Sequence, residues 1–209
     1  MKTFTAPFRS ACLGALILMG GCTILPESEP LKVFQFPTTT MQQGTTEELD
    51  LSLRINTPQA GFALSGPRIL VNPEGQQLST YRGARWSDPT PAILREHLAR
   101  SFVLHGGVRT VSTDEHSLHA DVQLGTDLRR FQVIYAGGPR AVIELDARVI
   151  ESSTRRVLAY RTFVVEEPLQ DEQVPGVVDA FGIAADRLGT ELVPWALQTL
   201  RDRGTQAAR

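Results

Sequence analysis

The strongest constraint on the fold is a stretch between residues 117 and 168 in which apolar and polar side chains alternate. It consists of three segments, 117–135, 141–152 and 156–168, with turns at "GGP" and "SSTR". Alternation with a period of two is typical of strands that bury one face, and short breaks of this composition are typical of hairpin turns. The pattern therefore predicts an antiparallel meander of two hairpins. The inward positions of its middle strand are Ile143, Leu145, Ala147 and Val149.

Two details of this meander can also be predicted. Its first strand is so long that we expect a β-bulge near Gly125. At its tip, Phe131, Ile134 and Tyr135 stand close to the glycine turn, where side chains are usually polar. These three residues are candidates for a partner surface. The alternative, that they complete the core of the sheet, is supported at least as well.

Shorter strands and two helices surround the meander. The segments 31–36, 49–55, 68–71 and 76–81 have the composition or alternation of strands. A helix should follow, with N-cap candidates Ser87, Asp88 and Thr90, and it should end at Gly106 and Gly107. Its apolar stripe consists of Leu94, Leu98 and Phe102, whereas His97 is expected at the surface.

A second helix is predicted from about Val174 to Leu200, where Pro194 could kink or shorten it, and residues 201–209 should fray. Strands, a helix, more strands and a final helix indicate an α+β domain. We expect a single domain at 31–200, in which an antiparallel sheet carries both helices on one face.

The first 21 residues show the pattern of an export signal. Lys2 and Arg9 accompany an apolar run at 11–19, which is too short to cross the hydrocarbon core of about 30 Å. The run leads into Met19-Gly20-Gly21-Cys22, which resembles the lipobox that a bacterial peptidase cleaves before a lipid-modified cysteine. We predict a signal peptide at 1–21 and a diacylglycerol and an N-acyl chain on Cys22. An ordinary signal with a free cysteine, or a buried N-terminal helix, is the alternative.

The cysteine count supports lipidation. Cleavage removes Cys12, so Cys22 would remain alone, and an unpaired cysteine in an exported protein is a liability unless it is occupied. Thr23, in place of an aspartate, resembles the default sorting signal for the outer membrane of Gram-negative bacteria. We therefore expect a protein held on the periplasmic face of the outer membrane by a lipidated tether at 22–30.

The charge balance gives no sign of a nucleic-acid partner, and the length fits one domain. Removing Lys2 and Arg9 from the 21 basic residues leaves 19 against 23 acidic ones, and no block of like charge occurs, so no nucleic-acid partner is indicated. Removing 21 of the 209 residues leaves 188, the size of one domain.

The sequence contains no recognised catalytic or metal-binding motif. It lacks a G-x-S-x-G elbow, an H-E-x-x-H pair and a phosphate loop. His116 and His119 lie near acidic residues, but positions three apart on a strand point to opposite faces, which disfavours a shared metal. Glu166 and Glu167 are more simply charges that protect an exposed strand edge than an acid–base pair. We expect no catalytic residue, no metal and no cofactor apart from the lipid on Cys22.

The most individual segment is "YRGARWSDPTPAILREHL", residues 81–98. Tyr81 and Trp86 bracket Gly83 at a strand end, and Asp88-Pro89 fixes the turn into the helix. Chemistry alone predicts a packed strand-to-helix corner with a structural role.

This corner, the lipobox, the meander and the final helix together resemble the ABC-type transport auxiliary lipoproteins, the PqiC-like family. The resemblance implies an outer-membrane lipoprotein that partners MCE-domain proteins, which form hollow tubes that conduct lipids across the periplasm. It implies no catalytic residues, and other chains would supply the permease and the ATPase. The positions that carry it are Tyr81, Arg85, Trp86, Asp88, Pro89, Leu94 and Leu98.

Three hypotheses about function follow. The preferred one is a non-enzymatic docking or auxiliary subunit of an MCE-type, ABC-linked lipid transport system, and it leaves homo-oligomerisation open. The second is a structural or assembly lipoprotein of another envelope complex, such as a pilotin. The third is a hydrolase with an unrecognised site, which a pocket with a convergent base and nucleophile would support.

Overall fold

A computed structural model describes residues 30–44, 47–116 and 118–207. The described residues from Leu31 onward form one compact unit. The predicted signal peptide, Cys22 and the tether up to residue 29 lie outside the described residues, so the prediction of lipidation stays a prediction.

The described residues form an α+β domain, as the sequence predicts. It contains a sheet of nine strands, two long helices and a short 3₁₀ turn at Asp114–His116. The helices are α1 (Thr90–His105) and α2 (Val174–Ala207). The strands are β1 (Lys32–Phe34), β2 (Leu49–Ile55), β3 (Gln59–Ala60), β4 (Arg68–Asn72), β5 (Ser79–Trp86), β6 (Val108–Thr113), β7 (Val122–Ile134), β8 (Arg140–Glu151) and β9 (Val157–Pro168).

The predicted meander is confirmed as β7, β8 and β9, which pair in antiparallel order. All four predicted inward residues of β8 are buried. The bulge lies between Leu128 and Arg130, however, and not near Gly125, which continues the ladder opposite Arg148. The extra residue allows Leu128 and Phe131, three positions apart, both to enter the core.

The other edge of β7 pairs with three strands in turn, and this makes the sheet mixed. β2, β3 and β4 lie in parallel along β7, opposite residues 122–124, 127–128 and 132–134. β2 then pairs with β6 in parallel, β4 pairs with β5 in antiparallel order, and β5 pairs with β1 in parallel. The sheet is thus antiparallel only in part, because a period of two identifies a strand and carries no information on its direction.

Both helices pack on the same face of the sheet and share one core. Leu94, Leu98 and Phe102 of α1 are fully buried, as their spacing predicts. The start of α1 differs from the prediction, since Pro89 occupies the N-cap position and no side chain caps the helix. The backbone N–H and the hydroxyl of Thr90 instead donate to the carbonyl of Gly66, at 3.3 and 3.2 Å. α2 continues through Pro194 to Ala207, so residues 201–207 are helical where a frayed tail was expected.

Residues 35–44, here called the strap, cross both helices between β1 and β2. The strap lies directly against α2 at Gly182, where an added Cβ would stand 2.7 Å from Cγ of Pro37. Its far end is fixed at α1, because the N–H of Gly44 donates to the carbonyl of His105 at 2.9 Å. The glycine at 182 therefore allows the strap to approach the axis of α2, whereas the glycine at 189 makes room for Ser101 of α1.

We expect Gly182→Ala to destabilise the protein although alanine favours helix. The new Cβ would lie 2.7 Å from Cγ and 2.8 Å from Cβ of Pro37, in a ring that cannot rotate away. Overpacking of this kind costs roughly 1–3 kcal/mol, which exceeds the helix propensity gain of about 1 kcal/mol. Gly204→Ala is the matched control in the same helix, since nothing lies within 4 Å of its added Cβ.

Urea unfolding followed by tryptophan fluorescence measures both variants. A Gly182→Ala protein as stable as the Gly204→Ala protein would contradict the close approach of strap and helix.

Candidate functional site

The corner after β5 is built around buried Trp86. A bulge in β5 lies between the pairs Arg68–Arg85 and Leu70–Thr80, and Gly83 within it has φ of +64°. Glycine adopts this left-handed conformation without strain, so the bulge can turn Trp86 into the core. The backbone N–H of Trp86 donates to the carbonyl of Pro67 at 2.8 Å.

Among the corner residues that precede α1, Tyr81, Arg85, Trp86, Asp88 and Pro89, only Trp86 is fully buried. Tyr81 is half-buried, Arg85 is exposed, and exposed Asp88 accepts a hydrogen bond from the hydroxyl of Ser87 at 2.8 Å. Pro89 gives the chain the turn into α1. The structural role of this corner stays a prediction.

A cleft of 540 Å³ lies between the corner, the strap and α1. Its floor contains Arg95, whose side chain is 7% exposed. Arg95 binds Thr57 and Asp114 at 3.0 and 3.2 Å, and it also pairs with Glu96 and Glu115. Burial would lower the pKa of Arg95, but its hydrogen bonds to Glu115 and Glu96 outweigh burial and raise it. The guanidinium is therefore a fixed cation that joins α1 to the loops after β2 and β6.

His97 is the second buried titratable residue beside the cleft. The sequence predicts a surface position for it, and that prediction is wrong. Its Nε2 lies 3.2 Å from Oδ1 of Asp186 on α2, and its ring stands edge-on to Phe36 of the strap. Burial lowers the pKa of His97 more than the charge of Asp186 raises it. The ring nitrogens also face the carbonyls of Ala185 and Pro37.

Asp186 connects this pair to the strap. Its Oδ2 accepts hydrogen bonds from the backbone N–H of Thr40 at 3.2 Å and from the hydroxyl of Thr40 at 2.7 Å. Burial would raise the pKa of Asp186, but donors from Thr39 and Thr40 outweigh it and lower the pKa. Local sequence carries no signal for this contact, because its members come from the strap, α1 and α2.

The predicted partner surface at the β7–β8 hairpin is only partly at the surface. Phe131 is 2% exposed and stacks on Phe181 of α2, with ring centroids 4.4 Å apart. It belongs to the core, and this corrects its assignment to a surface. Ile134 and Tyr135 are half-buried, and the hydroxyl of Tyr135 lies 3.5 Å from that of Tyr81. Burial and this neighbour raise the pKa of Tyr81.

Glu166 and Glu167 lie at the end of β9, which is an edge strand as predicted. Glu166 pairs with Arg140 at 2.8 Å, and Glu167 pairs with Arg187 of α2 at 2.5 Å. Their side chains thus have separate basic partners.

Within the residues described here, no three histidine, cysteine or acidic residues are placed to hold a metal ion. Neither helix in the same residues has the length and apolar character that crossing a membrane requires.

Comparison with known sequences gives a family match. The sequence model of the ABC-type transport auxiliary lipoprotein component matches residues 34–193. An uncharacterized protein of Bradyrhizobium diazoefficiens is 31% identical over 153 residues, which cover 71% of this chain and 40% of that protein. The chain therefore spans less than half the length of this relative.

Comparison with solved structures agrees on the fold. The crystal structure of a Xanthomonas campestris protein of the DUF330 family is 31% identical, with a TM-score of 0.77, over 83% of this chain and 99% of that one. The crystal structure of an uncharacterized protein is 16% identical, with a TM-score of 0.64, over 79% and 98% of the two chains. The second likeness concerns the fold alone.

The buried histidine predicts a pH dependence of stability. The pKa of His97 in the folded state lies below its ordinary value of about 6.5, so the unfolded chain binds a proton that the folded chain does not. As the pH falls below about 6.5, the free energy of unfolding should decrease by up to about 1.4 kcal/mol per pH unit, until the folded pKa is reached. Asp186, whose pKa is lowered, contributes a further loss only in the acid range below about 4.

Urea unfolding between about pH 7 and pH 5 tests this dependence. His97→Gln should flatten the profile in this range, whereas His116→Gln, at an exposed position, should retain it. A wild-type profile that is already flat would be evidence against a buried neutral histidine.

Proposed function

Because the chain belongs to the family of ABC-type transport auxiliary lipoprotein components, we propose that it is a non-enzymatic docking subunit of an MCE-type lipid transport system at the outer membrane. The observation that carries this proposal is the family match over residues 34–193. That range includes the strap, the corner, the meander and most of α2, so it corresponds to the folded unit. The lipid-conducting tube and the source of energy would be other chains.

A non-catalytic role is supported by the polar groups of the cleft. His97 is 5% exposed and its Nε2 lies 3.2 Å from Oδ1 of Asp186, so little of its ring is accessible to a substrate. Arg95 is held by Asp114, Glu96 and Glu115. These groups join the helices, the strap and the loops, and they act as internal supports.

The tip of the β7–β8 hairpin is our candidate docking surface. Arg140 donates from Nη1 to the carbonyls of Ala136 at 2.6 Å and Gly138 at 3.1 Å, which fixes the turn. Tyr135 contacts Tyr81 of the corner across 3.5 Å. A turn fixed in advance loses little conformational entropy on binding. Half-buried Ile134 and Tyr135 would supply the apolar contact.

Attachment through Cys22 is a separate part of the proposal. Two or three acyl chains bind a bilayer far more firmly than a single myristoyl chain does. Thr23 favours sorting to the outer membrane. On the periplasmic face of that membrane, the protein could contact the end of a tube that spans the periplasm.

We expect Cys22→Ser to lose its lipid and to leave the membrane fraction. Cys12→Ser, in the predicted signal peptide, is the matched control and should remain membrane-bound. Fractionation of the envelope with metabolic labelling by a palmitate analogue measures both. Thr23→Asp should move the protein from the outer to the inner membrane on a sucrose gradient. Normal retention of Cys22→Ser would refute the lipid anchor.

We expect an MCE-domain protein to be recovered with the membrane-anchored chain after crosslinking in envelopes. Tyr135→Asp should reduce this recovery strongly, since removing a central contact commonly costs about 2 kcal/mol or more, a factor of about 30. Val103→Asp replaces an apolar side chain that is 54% exposed on α1 and serves as the control.

The variants must first show equal unfolding midpoints, so that loss of the fold is not read as loss of binding. Repeated absence of an MCE-domain protein would refute the partner. Unchanged recovery with Tyr135→Asp would refute the hairpin surface alone.

A further inference from the structure

The sheet carries exposed apolar side chains at the end where the strands β1, β4 and β5 lie. Phe62, in the turn between β3 and β4, is 97% exposed, and Leu78, just before β5, is 43% exposed. Both line a groove of 520 Å³ that also contains buried Leu70. Val33 of β1, the edge strand at this end, is 50% exposed. Apolar side chains gathered at a surface in this way mark a site of contact with a partner or a membrane.

These side chains share the face of the sheet that carries no helix. Trp86 of β5 points into the core, so its neighbour Arg85 points to the other face. Arg85 pairs with Val33 of β1 on one side and with Arg68 of β4 on the other, and paired residues of neighbouring strands share a face. Leu70, two positions after Arg68, lies on the same face, which places the groove there.

The turn that carries Phe62 holds this side chain outward. The N–H groups of Leu64 and Ser65 donate to the carbonyl of Gly61 at 3.0 and 3.1 Å, and the hydroxyl of Ser65 donates to the same oxygen at 2.9 Å. Leu64 packs against the core and fixes the turn from below. The exposure of Phe62 is therefore built into the turn, and a side chain that is fixed in advance loses little conformational entropy on binding.

The positive charges at this end of the sheet have no partners within the described residues. The side chains of Arg68 and Arg85 are exposed and form neither an ion pair nor a hydrogen bond there. Lys32 of β1 and Arg82 of β5 are exposed and unpaired in the same way. Four cations on two neighbouring edge strands and β4 therefore remain available to an anionic surface.

The rest of this face is different, because its charges are neutralised within the chain. Arg129 of β7, for example, pairs with Asp146 of β8 at 2.8 Å. The acidic residues nearest in sequence to β5 are Glu74, in the turn before it, and Asp88, beyond its end. Unpaired positive charge thus lies at the same end of the sheet as the exposed apolar side chains.

The covalent link to the predicted anchor indicates what lies opposite this end of the sheet. Leu31, which is 53% exposed and directly precedes β1, is the ninth residue after Cys22. A fully extended chain covers about 3.5 Å per residue, so Leu31 can lie at most about 30 Å from a lipidated Cys22. That distance is about the diameter of a small domain. The anchor therefore keeps the β1 end of the sheet next to the bilayer.

We propose that the edge patch, formed by Val33, Phe62, Arg68, Leu78 and Arg85, binds the surface of the bilayer that holds the Cys22 lipid. Phe62 and Leu78 enter the boundary between headgroups and acyl chains, while Arg68 and Arg85 bind the phosphates of anionic headgroups. The inference rests on the lipid anchor of the proposed function. It depends neither on the MCE-domain partner nor on the hairpin surface.

Fluorescence quenching in vesicles tests the contact. The full-length, lipidated protein is reconstituted into vesicles of phosphatidylcholine and phosphatidylglycerol with brominated acyl chains, which quench tryptophan only at short range. Phe62→Trp should be quenched strongly above the background of Trp86 and Trp195. Tyr160→Trp is the matched control and should stay near background, because Tyr160 is 55% exposed on β9, at the opposite edge of the sheet.

Charge variants test the role of the two arginines. Each cation near an anionic surface contributes a factor of about five to binding. Arg68→Gln combined with Arg85→Gln should therefore shift the contact equilibrium about 25-fold and remove most of the quenching of Phe62→Trp. Arg155→Gln combined with Arg156→Gln, at the exposed β8–β9 turn, removes the same charge and should leave the quenching unchanged. Equal unfolding midpoints show that the variants are folded.

The outcomes separate the contact from the anchor. A wild-type chain that does not float with the vesicles refutes the anchor and the contact together. Flotation with equal quenching at positions 62 and 160 overturns the contact alone. Quenching that survives the loss of both arginines overturns the binding of anionic headgroups. In envelopes, a photoactivatable residue in place of Phe62 should crosslink to lipid, and a specific crosslink to a protein would show that a protein covers the patch instead.

Discussion

The stacked rings of Phe131 and Phe181 join the sheet to α2, and much of the molecule is arranged around them. Their planes differ by 6°, and Trp86 stands edge-on to Phe181 at 5.7 Å. Phe36 of the strap meets Trp86 at 5.5 Å. One cluster therefore fixes β7, the corner, the strap and the last helix relative to each other. Aromatic pairs in such offset or edge-on contacts add about 0.5–1.5 kcal/mol each beyond the burial of their surface. The bulge in β7 is what allows Phe131 to take part, because it returns the strand to the correct face after Leu128.

Period-two alternation was sufficient to predict β2, whose bounds at 49 and 55 agree with the structure, and to predict the inward face of β8. It could not predict strand direction or the order along β7, since these depend on contacts between distant segments. β6 was missed because Val108–Thr113 is mainly polar and follows two glycines, without clear alternation. The cap of α1 was missed for a different reason. A nearby side chain was expected to cap the start of the helix. Instead, Thr90 donates a hydrogen bond to the carbonyl of Gly66, which lies in a loop 24 positions earlier in the sequence.

The candidate site was harder to predict than the fold. Phe131 was assigned to a surface because it is near a glycine turn, and only the bulge shows that it faces the core. His97 stands at a helix position that reads as exposed, and the strap covers it. Its partner Asp186 is far away in sequence. A sequence pattern that covers a few neighbouring residues shows each of the two as a single polar residue and gives no sign that they pair. Tyr81 was predicted only as part of a structural corner, and its contact with Tyr135 joins two segments that are 54 positions apart in the sequence.

The strap strengthens the attachment of the short strand β1 to the rest of the fold. β1 contributes only three residues at the edge of the sheet, opposite 84–86 of β5, and such a short pairing resists displacement poorly. The strap adds three fixed points beyond it: Phe36 in the aromatic cluster, Thr40 on Asp186, and Gly44 on the carbonyl of His105. Displacement of β1 would thus be resisted by contacts distributed across both helices. Because one of these contacts depends on buried His97 and Asp186, the same part of the fold is the part that acid should weaken first.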